Sequence, residues 1–151
     1  MGSPSRYFDI FGMKPSFAID QDILKEKYFE ISKKLHPDRP GLSFAGDTSI
    51  EEVNKAYDTL KNDLARARYL SNAKKLSVDK KFLEDVLEYE EAISNISSDE
   101  DERRVKEDLQ RRIAQCKQHL GEEHLAKWGY YERLMKMLNK RKEQENRANV
   151  H

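Results

Sequence analysis

The chain has 151 residues, of which 37% are hydrophobic and 37% are charged, and its formal net charge is zero. This apolar and aromatic content is too high for a disordered chain and low for a β-sandwich core, so it favours helical bundles with solvated outer faces. The lack of a basic excess disfavours a nucleic-acid partner, and no apolar run is long enough to cross a bilayer. Cys116 is the only cysteine, which excludes an internal disulfide and a cysteine-based zinc site and indicates a reducing compartment.

The first part of the chain is patterned as short helices separated by turn residues. The predicted elements are an apolar-rich opening at 7–11, a helix at 20–35 capped by Asp20, a helix that begins at Thr48 or Ser49 and runs to 60, and a helix at 63–72. The helix at 20–35 ends before Pro37, because a residue that precedes proline avoids the α region. Its predicted buried face consists of Ile23, Leu24, Tyr28, Ile31 and Leu35.

Polar residues at 73–78 separate this part from a second group of helices. Three long amphipathic helices are predicted at 79–96, 99–120 and 122–147, with turns at Ser97-Ser98 and Gly121. Short connections make consecutive helices antiparallel neighbours, so these helices predict a three-helix bundle. We therefore expect an all-α chain with one domain at 5–73 and a second at 79–148.

The tripeptide His36-Pro37-Asp38 directly follows the lysine-bearing helix. A helix stop followed by an ordinary turn would also explain it, but its surroundings make coincidence much less probable. In this setting the tripeptide resembles the signature of a J-domain, a helical hairpin with a His-Pro-Asp loop that switches on the ATPase of DnaK-type chaperones. The surrounding residues that carry the resemblance are Tyr7-Phe8-Asp9-Ile10-Phe11-Gly12, Leu35 and Asn54-Lys55-Ala56-Tyr57-Asp58-Thr59-Leu60.

The chemistry of the loop suits contact with a partner. Pro37 makes the exit from the helix stiff, and the Asp38 carboxylate offers an arginine a bidentate contact. Lysines on the preceding helix favour an acidic partner and a transient, salt-sensitive encounter. The resemblance implies that the partner is the nucleotide-binding domain of a DnaK-type (heat-shock 70 kDa family) chaperone, which holds the hydrolytic residues. The residues expected to bind this chaperone are His36, Pro37, Asp38, Lys25, Lys33 and Lys34.

A narrower resemblance covers nearly the whole chain. Residues 7–12, followed by 60–70, are similar to the HscB family, the J-proteins of iron–sulfur cluster assembly, whose relatives include the mitochondrial Jac-type proteins. The resemblance implies an L-shaped molecule in which the three-helix bundle binds the cluster scaffold protein (IscU/Isu type).

The helix that begins near Asp79 carries two apolar sets. Leu83 and Leu87 lie about 100° and 140° round the helix from Phe82, beside carboxylates. They could widen the core, pack on the J-domain, or form an exposed surface for a partner. The core stripe itself is predicted to be Phe82, Val86, Tyr89, Ile93 and Ile96.

The HscB resemblance favours the partner surface. It implies scaffold contacts at Leu83, Leu87, Glu88 and Glu91, with Tyr130 approaching from the last helix. Ordinary core packing is the alternative for Tyr130, which lies at the edge of a stripe formed by Tyr131, Leu134 and Leu138. Glu84 departs from the family pattern, because the family often has an apolar residue at this position.

Other charged and polar clusters have simpler explanations. The acidic segment 82–102 and the basic segment 103–120 are expected to form solvated faces that pair with each other. His119 and His124 are expected to be solvated turn residues rather than metal ligands, because Gly121 breaks the helix between them. Cys116 is expected in the core, whereas Trp128 could be either packed or exposed. We expect no metal and no cofactor.

These observations predict a monomeric co-chaperone rather than an enzyme. It would activate the ATPase of a DnaK-type chaperone and deliver the iron–sulfur scaffold protein to it, without a nucleic-acid or membrane partner. The alternatives are a J-protein with a different client and a helical adaptor that does not stimulate a chaperone. The expected location is the mitochondrial matrix or a mitochondrion-derived organelle, with the bacterial cytoplasm as the alternative.

Overall fold

The computed structural model describes residues 5–35, 48–72 and 77–148. Within these ranges the chain forms helices and connecting turns without a strand, which confirms the predicted all-α class. It divides between residues 73 and 74 into two compact units. The first unit contains α1 (Arg6–Ile10), α2 (Gln21–Lys34), α3 (Ile50–Lys61) and α4 (Asp63–Ser71), and the second contains α5 (Lys80–Ser94), α6 (Asp99–Gln118) and α7 (Glu122–Ala148).

Side-chain caps determine where α2 and α3 begin. The Asp20 carboxylate accepts hydrogen bonds from the backbone N–H groups of Asp22 at 2.9 Å and Ile23 at 3.2 Å. The Ser49 hydroxyl accepts one from the N–H of Glu52 at 3.2 Å, so Ser49 rather than Thr48 caps α3. These bonds satisfy donors that have no partner within the helix.

The core of the first unit forms between α1, α2 and α3. Its fully buried side chains include Phe8, Leu24, Val53 and Leu60. The prediction was wrong for Ile23, which is 43% exposed. Ile23 is rotated by about 100° from its neighbour Leu24, so it falls outside the stripe that α2 turns towards α1 and α3.

A buried guanidinium, that of Arg66, joins α4 to the segment before α2. Arg66 is 4% exposed, and its guanidinium donates to the carbonyl oxygens of Phe17 and Leu60, both at 2.7 Å, and to the Asp63 carboxylate at 2.9 Å. It also stacks over the Phe17 ring, 4.7 Å from the centroid. A buried charge is tolerated only when it is paired and hydrogen-bonded, and this fork meets both conditions.

We expect Arg66→Ala to destabilise the first unit by about 2–3 kcal/mol, because two buried carbonyl oxygens lose their donor. Amide hydrogen exchange followed over residues 5–72 measures the loss of protection. Arg68→Ala, which removes an exposed arginine from the same helix, is the matched control and should change little. Unchanged protection in the Arg66 variant would contradict this role.

The core of the second unit forms from one stripe on each helix. On α5 the buried residues are Phe82, Val86 and Ile93, followed by Ile96 just beyond the helix, as predicted, with Tyr89 half-buried. Cys116 is 3% exposed, which confirms its place in the core, and burial raises the pKa of its thiol. The remaining buried side chains are Leu109, Ile113, Leu125, Ala126, Trp128, Tyr131, Leu134 and Leu138.

Trp128 is packed rather than exposed, with no part of its side chain in contact with solvent. Its indole N–H donates to the Glu132 carboxylate at 2.9 Å, which satisfies the one polar group of the buried ring.

A polar network links α5 to α6. The Tyr89 hydroxyl donates to Asp108, which also pairs with Arg111 and with Arg112, whose Nε lies 3.4 Å from the carboxylate. Burial and the bond to Asp108 raise the pKa of Tyr89. Burial opposes ionisation of Asp108, but the Tyr89 hydrogen bond and the Arg112 charge hold the pKa of that carboxyl below its usual value.

Because the folded-state pKa of Asp108 is depressed, its carboxylate stabilises the fold at pH values above the ordinary carboxyl pKa of about 3.9. This stabilisation is lost as the pH falls through the lower folded-state pKa. We expect Asp108→Asn to lower the thermal midpoint at pH 7, and the difference from the unmodified protein to shrink towards pH 2. Melting curves over this pH range test the expectation, with the exposed Asp99→Asn on the same helix as control. A constant difference at all pH values would contradict it.

Candidate functional site

The outward face of α5 carries two exposed leucines. Leu83 is 39% exposed and Leu87 is 62% exposed, whereas Phe82 and Val86 beside them are buried. The leucines therefore do not widen the core of the bundle. An exposed leucine pair on a helix whose core stripe is complete is a surface that a partner can cover.

Carboxylates flank this leucine pair on one side of α5. Glu84, Glu88 and Glu91 are all exposed on α5 and share its outward side. The combination of apolar side chains with a carboxylate rim favours a partner that presents apolar groups bordered by basic ones.

Tyr130 on α7 lies at the edge of the core. Its ring meets that of Phe82 edge to face, with centroids 5.7 Å apart, and the Arg133 guanidinium lies 4.9 Å from its centroid. It is half-buried. Tyr130 thus packs against the residue that precedes Leu83, and part of its surface stays accessible.

A cavity of about 320 Å³ opens beside Glu88, between α5 and α6. Its lining residues are Asp85, Glu88, Tyr89, Ala92 and Arg112. Asp85 and Glu88 belong to α5, and Arg112 belongs to α6. Sequence reasoning missed this cavity, because Arg112 reaches it only through the packing of α5 on α6.

The candidate chaperone-binding residues that the structure describes lie on α2. Lys25, Lys33 and Lys34 are all exposed. Helical geometry places Lys33 about 80° and Lys34 about 180° round the axis from Lys25, so the three ammonium groups do not form one compact cluster. His36, Pro37 and Asp38 lie outside the described residues.

The histidines near the α6–α7 turn come close together. The ring centroids of His119 and His124 are 5.4 Å apart, with His119 exposed and His124 half-buried. No group of three or more histidine, cysteine, aspartate or glutamate side chains is arranged to hold a metal ion anywhere in the described part of the chain. Among those same residues, no helix combines the length and the apolarity that crossing a membrane requires.

Two protein-family models match the chain in succession. Residues 6–69 match the DnaJ domain, and residues 78–146 match a family described as the HSCB C-terminal oligomerisation domain.

Curated relatives align with the chain over more residues than either matched part contains. A co-chaperone protein HscB from Proteus mirabilis is 32% identical over 124 residues, which cover 71% of this chain and 69% of that protein. An HscB homologue from Shewanella frigidimarina is 33% identical over 112 residues, 63% of this chain and 62% of its own length. The chain thus spans about three fifths of the length of several curated relatives that it matches.

Solved structures show the same fold at lower identity. Human co-chaperone HscB superposes with a TM-score of 0.72 at 20% identity, and covers 93% of this chain and 84% of its own. Jac1 from Saccharomyces cerevisiae superposes with a TM-score of 0.68 at 19% identity, with 91% of each chain covered. HscB from Vibrio cholerae superposes with a TM-score of 0.64 at 24% identity, and the match covers 94% of this chain and 96% of that one.

The two curated relatives above come from bacteria. They give no support to the mitochondrial location expected from the sequence and are compatible with the bacterial alternative. The matched family consists of co-chaperones and is not an enzyme family. With a J-domain match, an HscB C-terminal match and a relative aligned over most of both chains, the chain belongs to the HscB family of J-domain co-chaperones.

Proposed function

We propose that this protein stimulates the ATPase of a DnaK-type chaperone and delivers an iron–sulfur cluster scaffold protein to it. Its J-domain is assigned to residues 5–73 and its scaffold-binding bundle to residues 79–148. The observation that carries the proposal is the exposed pair Leu83 and Leu87 on a helix that has already completed its own core. Family membership supplies the chaperone and the iron–sulfur scaffold as the expected partners.

The chaperone-binding residues are proposed to be His36, Pro37 and Asp38 together with exposed lysines of α2. Asp38 offers a bidentate contact to an arginine, and the proline ring of Pro37 restricts the backbone of the tripeptide. Lys25, Lys33 and Lys34 contribute attraction that added salt weakens. The chain contributes no hydrolytic group, since ATP is cleaved within the partner.

The scaffold-binding residues are proposed to be those on the outward face of α5 and at its edge. Leu83 and Leu87 supply the apolar contact, and Glu88 and Glu91 pair with basic groups at its rim. Tyr130 contributes the accessible part of a ring that is already fixed in orientation by Phe82. A few well-packed residues near the centre of an interface usually supply most of its binding free energy.

Binding both partners at once raises the concentration of the scaffold at the chaperone. A linked pair of binding sites turns the second encounter into an intramolecular one, at effective concentrations that reach millimolar values. A monomer with the two surfaces on separately folded units suffices for this, and the proposed acting species is the monomer.

We expect His36→Gln to abolish stimulation of the cognate chaperone's ATPase, because an amide cannot reproduce the contacts of the imidazole. Scaffold binding should be unchanged. Single-turnover ATP hydrolysis measures the first property and calorimetry the second. His119→Gln, which changes an exposed histidine in the second unit, is the control. Full stimulation by the His36 variant would refute the J-domain role.

We expect Leu83→Ser combined with Leu87→Ser to weaken scaffold binding at least tenfold while basal ATPase stimulation stays intact. Both leucines are exposed, so the double variant should keep its melting temperature. Met137→Ser, which removes a 40% exposed apolar side chain from α7, is the matched control. If the double variant binds the scaffold normally, the assigned surface is wrong. If the unmodified protein does not bind the scaffold, capture of its ligand on the immobilised protein identifies a different client.

A further inference from the structure

Two large apolar side chains of the first unit are exposed within the described residues, and both lie on α2. They are Phe29, at 51%, and Ile23, at 43%. We propose that Phe29 is an apolar anchor for the ATPase chaperone. The chaperone surface that contacts Phe29 is a hydrophobic patch with an acidic border. This inference rests on the proposed function and adds a specificity-determining contact to it.

The neighbour of Phe29 explains why its ring points outward. The Tyr28 ring stacks on that of Tyr57 in α3, with centroids 4.1 Å apart and planes inclined by 8°, and its hydroxyl donates to the Asn54 side chain at 2.6 Å. These contacts fix the rotation of α2 against α3. Phe29 follows at about 100° round the axis, on the side away from the core.

The Phe29 ring has contacts within its own helix that limit its motion. The Lys25 ammonium lies 6.0 Å from its centroid, one turn earlier, and the Tyr28 ring lies 5.8 Å away at an angle of 48°. A ring that is already oriented loses less conformational entropy on binding than a freely rotating one. Phe29 is therefore both accessible and partly preorganised.

The charges beside Phe29 define the kind of partner that fits. Lys25 and Lys33 lie four residues before and four residues after it, and Glu26 lies three residues before it, so two ammonium groups and one carboxylate border Phe29. The whole of α2 has four lysines against three carboxylates, a net charge of +1. Since this excess is small, charge alone gives weak attraction, and an apolar contact surrounded by acidic groups supplies the missing part.

A second copy of this chain is a poorer occupant. In a symmetric pair the same patch meets itself, so the lysines that border Phe29 in one copy would face the lysines that border it in the other. The position of Phe29 instead favours the chaperone. It lies five residues, about 7.5 Å of helix rise, before Lys34, the last residue of α2, directly ahead of the segment proposed to contact the chaperone.

The test compares Phe29→Ala with Ile23→Ala, which truncates the other exposed apolar side chain of the same helix. Single-turnover ATP hydrolysis by the cognate chaperone is titrated with each variant at low and at high salt. We expect Phe29→Ala to raise the half-maximal concentration about fivefold to tenfold, with the maximal rate retained. This factor should be similar at both salt concentrations, because salt does not screen an apolar contact. The half-maximal concentration for Ile23→Ala should stay within twofold of that for the unmodified protein. Phe29→Leu, which keeps an apolar side chain, should recover most of the affinity lost in Phe29→Ala.

Distinct outcomes would overturn the inference. If Phe29→Ala has the same half-maximal concentration as the unmodified protein, Phe29 is not part of the interface. If Ile23→Ala raises the half-maximal concentration as much as Phe29→Ala does, the effect is a general one of shortening an exposed apolar side chain on α2. Sedimentation that reveals a dimer of the unmodified protein, lost in Phe29→Ala, would assign the patch to self-association. If the unmodified protein fails to stimulate the chaperone at all, the proposed function itself is refuted, and this result differs from a failure confined to Phe29.

Discussion

The rotation of α5 about its own axis is the constraint on which the proposed scaffold surface depends. The Phe82 ring lies edge to face against both Tyr130 and Tyr131, with centroids 5.7 Å and 5.5 Å away. Val86 is buried on the same side. Because each helical residue has a set angular position, burying this stripe forces Leu87 outward. The exposed leucines are thus a consequence of a completed core, and no local distortion is needed to display them.

The two units hold their helices together by different interactions. In the first, the Arg66 guanidinium satisfies two backbone carbonyls and a carboxylate, so a polar fork inside the unit holds α4 to its neighbours. In the second, aromatic rings and the network of Tyr89 with Asp108 hold α5 against α6 and α7. Each unit completes its own core, so the proposed contact residues on the outside can change without loss of the fold. In the proposed function, two independent cores let one chain contact two different partners.

Sequence reasoning succeeded where a feature is local. The Asp20 cap, a cap for α3 at Thr48 or Ser49, and the core stripe of α5 each follow from the sequence pattern of a single helix. It failed where the outcome depends on what lies across from the residue. Ile23 is apolar and adjacent to the buried Leu24, yet no neighbouring element covers it. In the sequence Arg66 is an ordinary helical arginine, and only the fold places the Phe17 and Leu60 carbonyl oxygens beside it.

The sequence alone therefore determined the helical class and the positions of the helices, because these follow from periodicity and capping residues, and its motifs carried the resemblance to the family. Only the tertiary structure decided that Leu83 and Leu87 stay outside the bundle core, that Trp128 is packed, and that Phe29 remains exposed. It also created the cavity between Glu88 and Arg112. The physical reason is that exposure is a property of two surfaces: a helical pattern states which residues share a side, but only packing states whether anything covers that side.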